Sequence, residues 1–205
     1  MLFHFAAAAV LTNVAFLEIY SFYNTEDPTD MQFLSDENPL HRVFVYGTLK
    51  RGEPNHNLIQ DTKNGYAKFL GIGRTLTPYP LVIATKYNIP FLLKKPGIGH
   101  LVFGEVYDVD TKMLKKLDEL EEHPALYERF QEDILWAAES KAKSTNNFEE
   151  VGILTRVWIY FLPQFKTSLL DGPLYSSYTN EGSHGLKYCE KYVRDPSYDH
   201  RKEVQ

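Results

Sequence analysis

Short apolar runs separated by turn-forming residues recur along most of the chain and predict β-strands. β-branched and aromatic residues predict a strand over residues 43–46, which Gly47 ends in a tight loop. Residues 101–109 alternate between two faces and predict a longer strand. Further strands are predicted over 80–84, 91–94, 130–136 and 154–161. Because strands outnumber helices and their connections are mostly short, the pattern predicts an α+β domain with a curled, mixed sheet.

Residues 111–122 have the pattern of an amphipathic helix, with Asp110 as its N-cap candidate. At about 100° per residue, one stripe of this helix should face the core. The stripe contains Met113, Leu114, Leu117 and Leu120. The same turns carry four carboxylates, Asp118, Glu119, Glu121 and Glu122. Glu121 falls inside the stripe, Asp118 lies at its margin, and the other two project away from it.

The position of Glu121 is compatible with two roles. Burial of a carboxylate generally raises its pKa, and a raised pKa suits a general acid/base near neutral pH. A structural ion pair with an arginine such as Arg74 or Arg129 explains the position equally well. The helical period therefore selects the residue and leaves both roles open.

A second candidate element directly follows the first strand and consists of Tyr46, Gly47, Thr48 and Leu49. A glycine-containing turn at a strand end can expose successive backbone N–H groups that bind an anion. Such a turn could hold a substrate carboxylate or a developing oxyanion, or be an ordinary turn. It is not a phosphate-binding loop, because the spacing Gly-x4-Gly-Lys-Ser/Thr is absent.

Composition narrows the possible chemistry. The 205 residues carry a formal charge of −5 and are 43% hydrophobic, as expected of one soluble domain without nucleic acid as its main partner. The single cysteine, Cys189, excludes an intramolecular disulfide, and the seven histidines lack metal-ligand spacing. No serine lies in a Gly-x-Ser-x-Gly turn. These features favour a reaction that needs only proton transfer and electrostatic stabilisation.

The N-terminal part differs from the rest of the chain. Residues 1–23 form an apolar extension whose core, residues 2–17, is short for a membrane span of about 20 residues. We interpret it as a targeting or anchoring segment, a dispensable extension or a docked helix. Residues 24–41 form an acidic linker. A cytoplasmic location is expected, for instance after a start at Met31; membrane contact or secretion is expected only if residues 2–17 act as a targeting segment.

The chain resembles the γ-glutamylcyclotransferases, and more narrowly the AIG2-like group that contains the γ-glutamylamine cyclotransferases. The matching motifs begin with VFVYGTLKRG at residues 43–52 and PNH at 54–56. They continue through residues 73–76, 78–84, 88–90, 104–107, 124–127, 181–182 and 184–188. The resemblance places a catalytic domain at residues 42–192 and leaves residues 193–205 outside it as a polar tail.

The resemblance implies a compact mixed β-barrel with flanking helices, no cofactor, and a small-molecule substrate. It implies cyclisation of a γ-glutamylamine to 5-oxoproline with release of the amine. In the narrower group that amine is lysine, from the ε-(γ-glutamyl)lysine isopeptide that remains of transglutaminase cross-links. The catalytic glutamate of the family corresponds to Glu121, and its substrate-binding loop corresponds to Tyr46–Leu49. Two alternatives remain: γ-glutamyl α-amino acids as substrates, or a non-catalytic binding module on the same fold.

Overall fold

The structure, a computed structural model, describes residues 39–145, 147–182, 184–190, 193–195 and 197–205. The predicted apolar extension and all but the end of the predicted acidic linker lie outside these residues. None of the helices in the described ranges is long and apolar enough to cross a membrane.

Seven strands run through the described residues. In chain order they are β1 (His41–Val45), β2 (Ala67–Thr75), β3 (Leu81–Ala84), β4 (Ile89–Leu92), β5 (Phe103–Val109), β6 (Glu128–Ala137) and β7 (Ile153–Phe161). Five of them close into a barrel in the order β1–β5–β2–β6–β7. Its neighbours are antiparallel except β1 and β7, which are parallel and meet at Val43 and Trp158. β3 and β4 form a separate two-stranded sheet. The predicted α+β class with a mixed barrel is thereby confirmed.

The helices lie between and after the strands. They are α1 (His56–Gln60), α2 (Thr111–Leu120), α3 (Glu139–Lys143), α4 (Phe148–Val151) and α5 (Arg201–Val204), with 3-10 turns at Thr62–Asn64 and Thr167–Asp171. The N-cap of α2 is Asp110, as predicted, because its side chain accepts a hydrogen bond from the Met113 N–H at 2.7 Å. α3 and α4 occupy the polar segment between β6 and β7.

The core consists of two apolar clusters, one of which holds α2 against the barrel. One cluster takes alternate residues from all five barrel strands, including Phe44, Val106 and Ile159, and therefore fills the barrel interior. The other contains the opposite face of β1 and β5 together with Met113, Leu114 and Leu117 of α2. The predicted apolar stripe thus packs on the outside of the barrel, and the C-terminal end of α2 lies beside the strand ends that carry the candidate loop.

Strand β2 is not predicted by hydrophobic alternation, because Gly71 and Gly73 interrupt its pattern. A Cβ atom at Gly71 would lie 2.1 Å from the Ala137 carbonyl oxygen, and one at Gly73 would lie 2.8 Å from Trp136 Cβ. The two glycines allow β2 and β6 to approach each other within the barrel. Their small size is a packing requirement that local periodicity does not reveal.

Candidate active site

Glu121 lies at the end of α2 rather than within it. The helix ends at Leu120 and Glu121 is its C-cap, which corrects the predicted end at residue 122. The Glu121 N–H still donates to the Leu117 carbonyl at 3.0 Å, while Glu122 adopts a left-handed conformation with φ 54°. A left-handed residue after the last turn ends a helix. Glu121 is consequently partly buried at the rim of the core, where a ligand can reach it.

A pocket opens beside this helix end, between the C-terminal end of β1 and the start of β4. Its walls contain all five residues that the sequence proposes for the site: Tyr46, Gly47, Thr48, Leu49 and Glu121. Two elements that are more than 70 residues apart in the chain therefore face the same space. Other lining residues are Phe44, Val45, Asn55, Ile89, Pro90, Leu120, Glu122, Leu126, Tyr127, Tyr160, Tyr188, Arg194 and His200.

Buried tyrosines form much of the pocket wall. The Tyr46 hydroxyl donates to the Tyr160 carbonyl at 2.9 Å, and the Tyr127 hydroxyl donates to the Pro90 carbonyl at 3.0 Å. Burial raises the pKa of Tyr46 and Tyr127 well above the ordinary value, and the negative charge of Glu121 contributes to both shifts. These phenols are therefore neutral at physiological pH, and both lie within the electrostatic reach of the Glu121 carboxylate.

Hydrogen bonds from α1 and its N-terminal flank hold the loop in place. Asn55 donates from its side-chain amide to Thr48 Oγ1 and from its backbone N–H to the Thr48 carbonyl, both at 2.9 Å. The Asn55 Oδ1 atom accepts a hydrogen bond from the Tyr188 hydroxyl at 2.8 Å. His56 Nδ1 lies 2.9 Å from the Leu49 carbonyl oxygen. The carbonyl groups of this loop are thus engaged on the side of α1.

The backbone N–H groups of the loop are available to a ligand. Within the described part of the chain, the N–H groups of Gly47, Thr48 and Leu49 donate to no protein acceptor. Gly47 also permits close approach to β4, since a Cβ atom there would lie 2.8 Å from Pro90 Cγ. Consecutive donors in a partly closed pocket suit a carboxylate or an oxyanion.

The neighbouring acids of α2 have other partners. Asp118 accepts hydrogen bonds from Arg129 Nε at 2.9 Å and from the Tyr160 hydroxyl at 2.6 Å. Glu119 is exposed and pairs with Lys116, and Glu122 pairs with Arg201. Arg74, the other arginine considered for Glu121, pairs with Glu149. Both arginines that the ion-pair interpretation named are therefore bound to other carboxylates.

Several pocket residues were not among the sequence-based candidates. Tyr127 belongs to a motif that carries the family resemblance, and its position could have been recognised from it. Tyr160 lies on a strand, where nothing local distinguishes it from a core tyrosine. Arg194 and His200 come from the segment predicted to be a polar tail outside the domain, and they reach the pocket through long-range packing.

The chain matches one protein family over most of its barrel domain. A model of the family described as "Gamma-glutamyl cyclotransferase, AIG2-like" matches residues 43–180. The human gamma-glutamylaminecyclotransferase is 46% identical over 152 residues, which cover 71% of this chain and 94% of the human protein. Gamma-glutamylaminecyclotransferase C of Danio rerio is 43% identical over 158 residues, or 76% of this chain and 97% of the fish protein.

A solved structure has the same fold. The crystal structure of an AIG2-like protein from Mus musculus superposes with a TM-score of 0.66 at 39% sequence identity. The match covers 76% of this chain and 99% of the mouse chain. The shared region therefore contains nearly all of the mouse chain.

Proposed function

Because the chain belongs to the γ-glutamyl cyclotransferase, AIG2-like family, we propose that it converts γ-glutamylamines to 5-oxoproline and the free amine. ε-(γ-Glutamyl)lysine is the proposed substrate, as the narrower resemblance implies. In this proposal Glu121 is the general acid/base, and the loop of Tyr46, Gly47, Thr48 and Leu49 binds the substrate.

One observation supports these roles above all others: Glu121 and all four residues of the loop line the same pocket. Cyclisation of a γ-glutamyl group requires a base beside the attacking and leaving nitrogens and hydrogen-bond donors beside the γ-carbonyl oxygen. Neutral, buried tyrosines in the pocket wall lower the local polarity, which strengthens both electrostatic interactions. The arrangement thus meets the requirements of the proposed reaction.

The nucleophile comes from the substrate itself. The α-amine and the γ-carbonyl of a γ-glutamyl group are already tethered at the distance of a five-membered ring, so proximity supplies much of the rate. At neutral pH the amine is an ammonium group and cannot attack. Glu121 accepts its proton, which produces the free amine beside the γ-carbonyl carbon.

Attack of this amine forms a tetrahedral intermediate with a negatively charged oxygen. The loop N–H groups donate hydrogen bonds to that oxygen or to the substrate carboxylate. Collapse of the intermediate breaks the bond between the γ-carbon and the departing nitrogen, and Glu121 returns a proton to this nitrogen. The ring nitrogen keeps its new bond to the γ-carbon and gives its second proton to Glu121. The released amine is basic and takes up this proton, so 5-oxoproline and the protonated amine leave the pocket and Glu121 is again ionised.

The decisive experiment replaces Glu121 by Gln, which keeps the shape of the side chain and removes its basicity. Release of 5-oxoproline from ε-(γ-glutamyl)lysine should fall by about 100-fold or more, as expected when a general acid/base is lost. Glu119→Gln is the matched control, because Glu119 is an exposed acid of the same helix. Thermal unfolding of both variants should resemble that of the wild type.

Three results would contradict parts of this proposal. Full activity in folded Glu121→Gln protein would exclude the role of Glu121. Faster turnover of γ-glutamyl-alanine than of ε-(γ-glutamyl)lysine would assign the chain to γ-glutamyl α-amino acids. Calorimetric binding of 5-oxoproline without turnover of either compound would make the chain a binding module.

A further inference from the structure

The C-terminal residues of the chain pack on the barrel domain, although the match to the family ends at residue 180. We name the described residues 193–195 and 197–205 the C-terminal arm. Val204 is fully buried, and its carbonyl accepts a hydrogen bond from the Lys166 N–H at 2.7 Å. Nearer the start of the arm, the Asp195 N–H donates to the Tyr87 hydroxyl at 2.9 Å. The rings of Tyr87 and Tyr198 also meet edge to face with centroids 5.0 Å apart.

The C-terminal arm reaches the candidate active site. Arg201 pairs with Glu122, the residue directly after Glu121. Arg194 and His200 contribute to the lining of the pocket that contains Glu121 and the loop. The arm thus supplies a wall of the pocket in addition to its contacts with the core.

Arg194 differs from every other arginine of the chain. The other six pair with carboxylates: Arg42 with Asp108, Arg51 with Glu105, Arg74 with Glu149, Arg129 with Asp118, Arg156 with Asp133 and Arg201 with Glu122. Across the described residues, no carboxylate forms an ion pair with Arg194. Its Nε atom donates to the Cys189 carbonyl at 2.8 Å, and its guanidinium lies 5.7 Å from the centroid of the Tyr188 ring.

A partly buried guanidinium without an anion is unfavourable, because it has lost part of its hydration and gains no ion pair in return. Its planar set of N–H donors matches a carboxylate in a two-pronged arrangement. The Nε contact with Cys189 orients the group, and Tyr188 forms a further side-chain hydrogen bond with it. Because a guanidinium has five N–H donors, it can still bind another acceptor. A carboxylate on a bound ligand is the partner that this geometry fits.

The position of Arg194 indicates which part of a substrate it meets. Glu121 and the loop occupy one side of the pocket and take the γ-glutamyl group in the proposed reaction. Burial raises the pKa of Tyr127 and Tyr188, and the positive charge of Arg194 opposes both shifts. Arg194 therefore lies beside Tyr127 and Tyr188 in the pocket wall. ε-(γ-Glutamyl)lysine carries two carboxylates, and the proposed reaction assigns its glutamyl end to Glu121 and the loop. The carboxylate of the leaving lysine is then the one that remains for Arg194.

We propose that Arg194 is a specificity-determining residue that binds the carboxylate of the leaving amine. This inference rests on the proposed γ-glutamylamine cyclotransferase function. It makes the C-terminal arm part of the substrate site and predicts a preference for amines that carry a carboxylate, such as lysine, over simple alkylamines.

The test compares two substrates that differ only in this carboxylate, ε-(γ-glutamyl)lysine and γ-glutamylcadaverine. Steady-state kinetics of the full chain should give the wild type a higher kcat/KM for the lysine compound. Arg194→Gln should lower that kcat/KM by about tenfold or more, mainly through KM, as expected for loss of a charge-assisted hydrogen bond. Turnover of γ-glutamylcadaverine should change by less than about twofold. Arg194→Lys should restore part of the preference because it keeps the charge.

Lys202→Gln is the control variant, since Lys202 is an exposed cation of the same arm. An equal loss on both substrates would overturn the inference, because it would assign Arg194 to the architecture of the pocket or to the glutamyl end. An unchanged preference of Arg194→Gln for the lysine compound would overturn the inference as well. Turnover by the wild type would in that case still support the proposed function. Failure of the wild type to cyclise either compound would overturn both proposals.

Discussion

Tyr160 donates a hydrogen bond of 2.6 Å from its hydroxyl to Asp118 Oδ1, while its backbone carbonyl accepts the Tyr46 hydroxyl at 2.9 Å. One residue of β7 thus joins the acid at the margin of the α2 stripe to the tyrosine that begins the candidate loop. Arg129 completes the contact by pairing with the same carboxylate. Asp118 is thus bound by Arg129 and Tyr160, and Glu121, three residues later, lines the pocket.

We expect Asp118→Asn to reduce stability more than it reduces chemistry. The substitution removes the ion pair with Arg129 and weakens the hydrogen bond from Tyr160, both in a partly buried setting. The free energy of unfolding should fall by about 1–3 kcal/mol, measured by urea denaturation. Activity at a temperature where the variant is folded should stay far above that of Glu121→Gln.

Asp133→Asn is the control for this prediction. Asp133 also pairs with an arginine, Arg156, but the pair is exposed on the barrel surface. Exposed ion pairs contribute little to stability. Asp133→Asn should therefore lower the free energy of unfolding by less than Asp118→Asn does. Equal losses in Asp118→Asn and Asp133→Asn would contradict the structural role assigned to Asp118.

The main features of the candidate site could be predicted from local sequence. A helical period of 3.6 residues placed Glu121 on the same side as Leu117, and a strand followed by glycine placed the loop at a strand end. Both signals involve residues that are close in the chain. The period did not give the end of α2, which depends on the left-handed conformation of Glu122.

The remaining site features depend on contacts between distant parts of the chain. The Tyr188 hydroxyl binds Asn55 across 133 residues, and Arg201 reaches Glu122 across 79. No periodicity in a polar segment indicates such partners. The burial of Val204 is equally hidden, since one valine after a charged run resembles an exposed terminus. The prediction of residues 193–205 as a polar tail reflects this limit of local patterns.

Gly47→Ala should impair the loop. The added methyl group would meet Pro90 Cγ at 2.8 Å, and a proline ring has little freedom to move. The loop N–H donors should therefore shift away from the pocket, and kcat/KM should fall by about tenfold or more. Gly172→Ala is the control, because its nearest atom lies 4.0 Å away. Wild-type kinetics in Gly47→Ala would show that the close packing of this loop is dispensable.

Asn55→Ala should have a related effect from the other side of the loop. It removes the hydrogen bond to Thr48 Oγ1 and the acceptor of the hydrogen bond from the Tyr188 hydroxyl. Thr48 and Tyr188 both line the pocket. We expect a higher KM for ε-(γ-glutamyl)lysine and a lower melting temperature, measured by kinetics and by calorimetry. Asn57→Ala, at an exposed position of α1, should change neither. If the two variants behave alike, Asn55 does not hold the loop.

His200 should give the C-terminal arm a pH-dependent stability. Burial lowers the pKa of His200 below its usual value of 6.5, and the nearby charges partly oppose one another. Glu122 and Asp199 act to raise it, and Arg194 and Arg201 act to lower it. The pKa of His200 is lower in the folded state than in the unfolded state. The stability that neutral His200 contributes is therefore complete above the unfolded pKa and is lost as the pH falls through the folded pKa.

The free energy of unfolding of the wild type, measured relative to His200→Gln, should therefore decrease as the pH falls below the usual histidine pKa of 6.5. Chemical denaturation at several pH values gives this difference directly, because the carboxylates common to both proteins cancel. His100→Gln, which replaces an exposed histidine, serves as the parallel control. A difference that stays constant or increases on acidification would show that His200 is not buried in its neutral form, and that the arm does not cover the pocket in the way described.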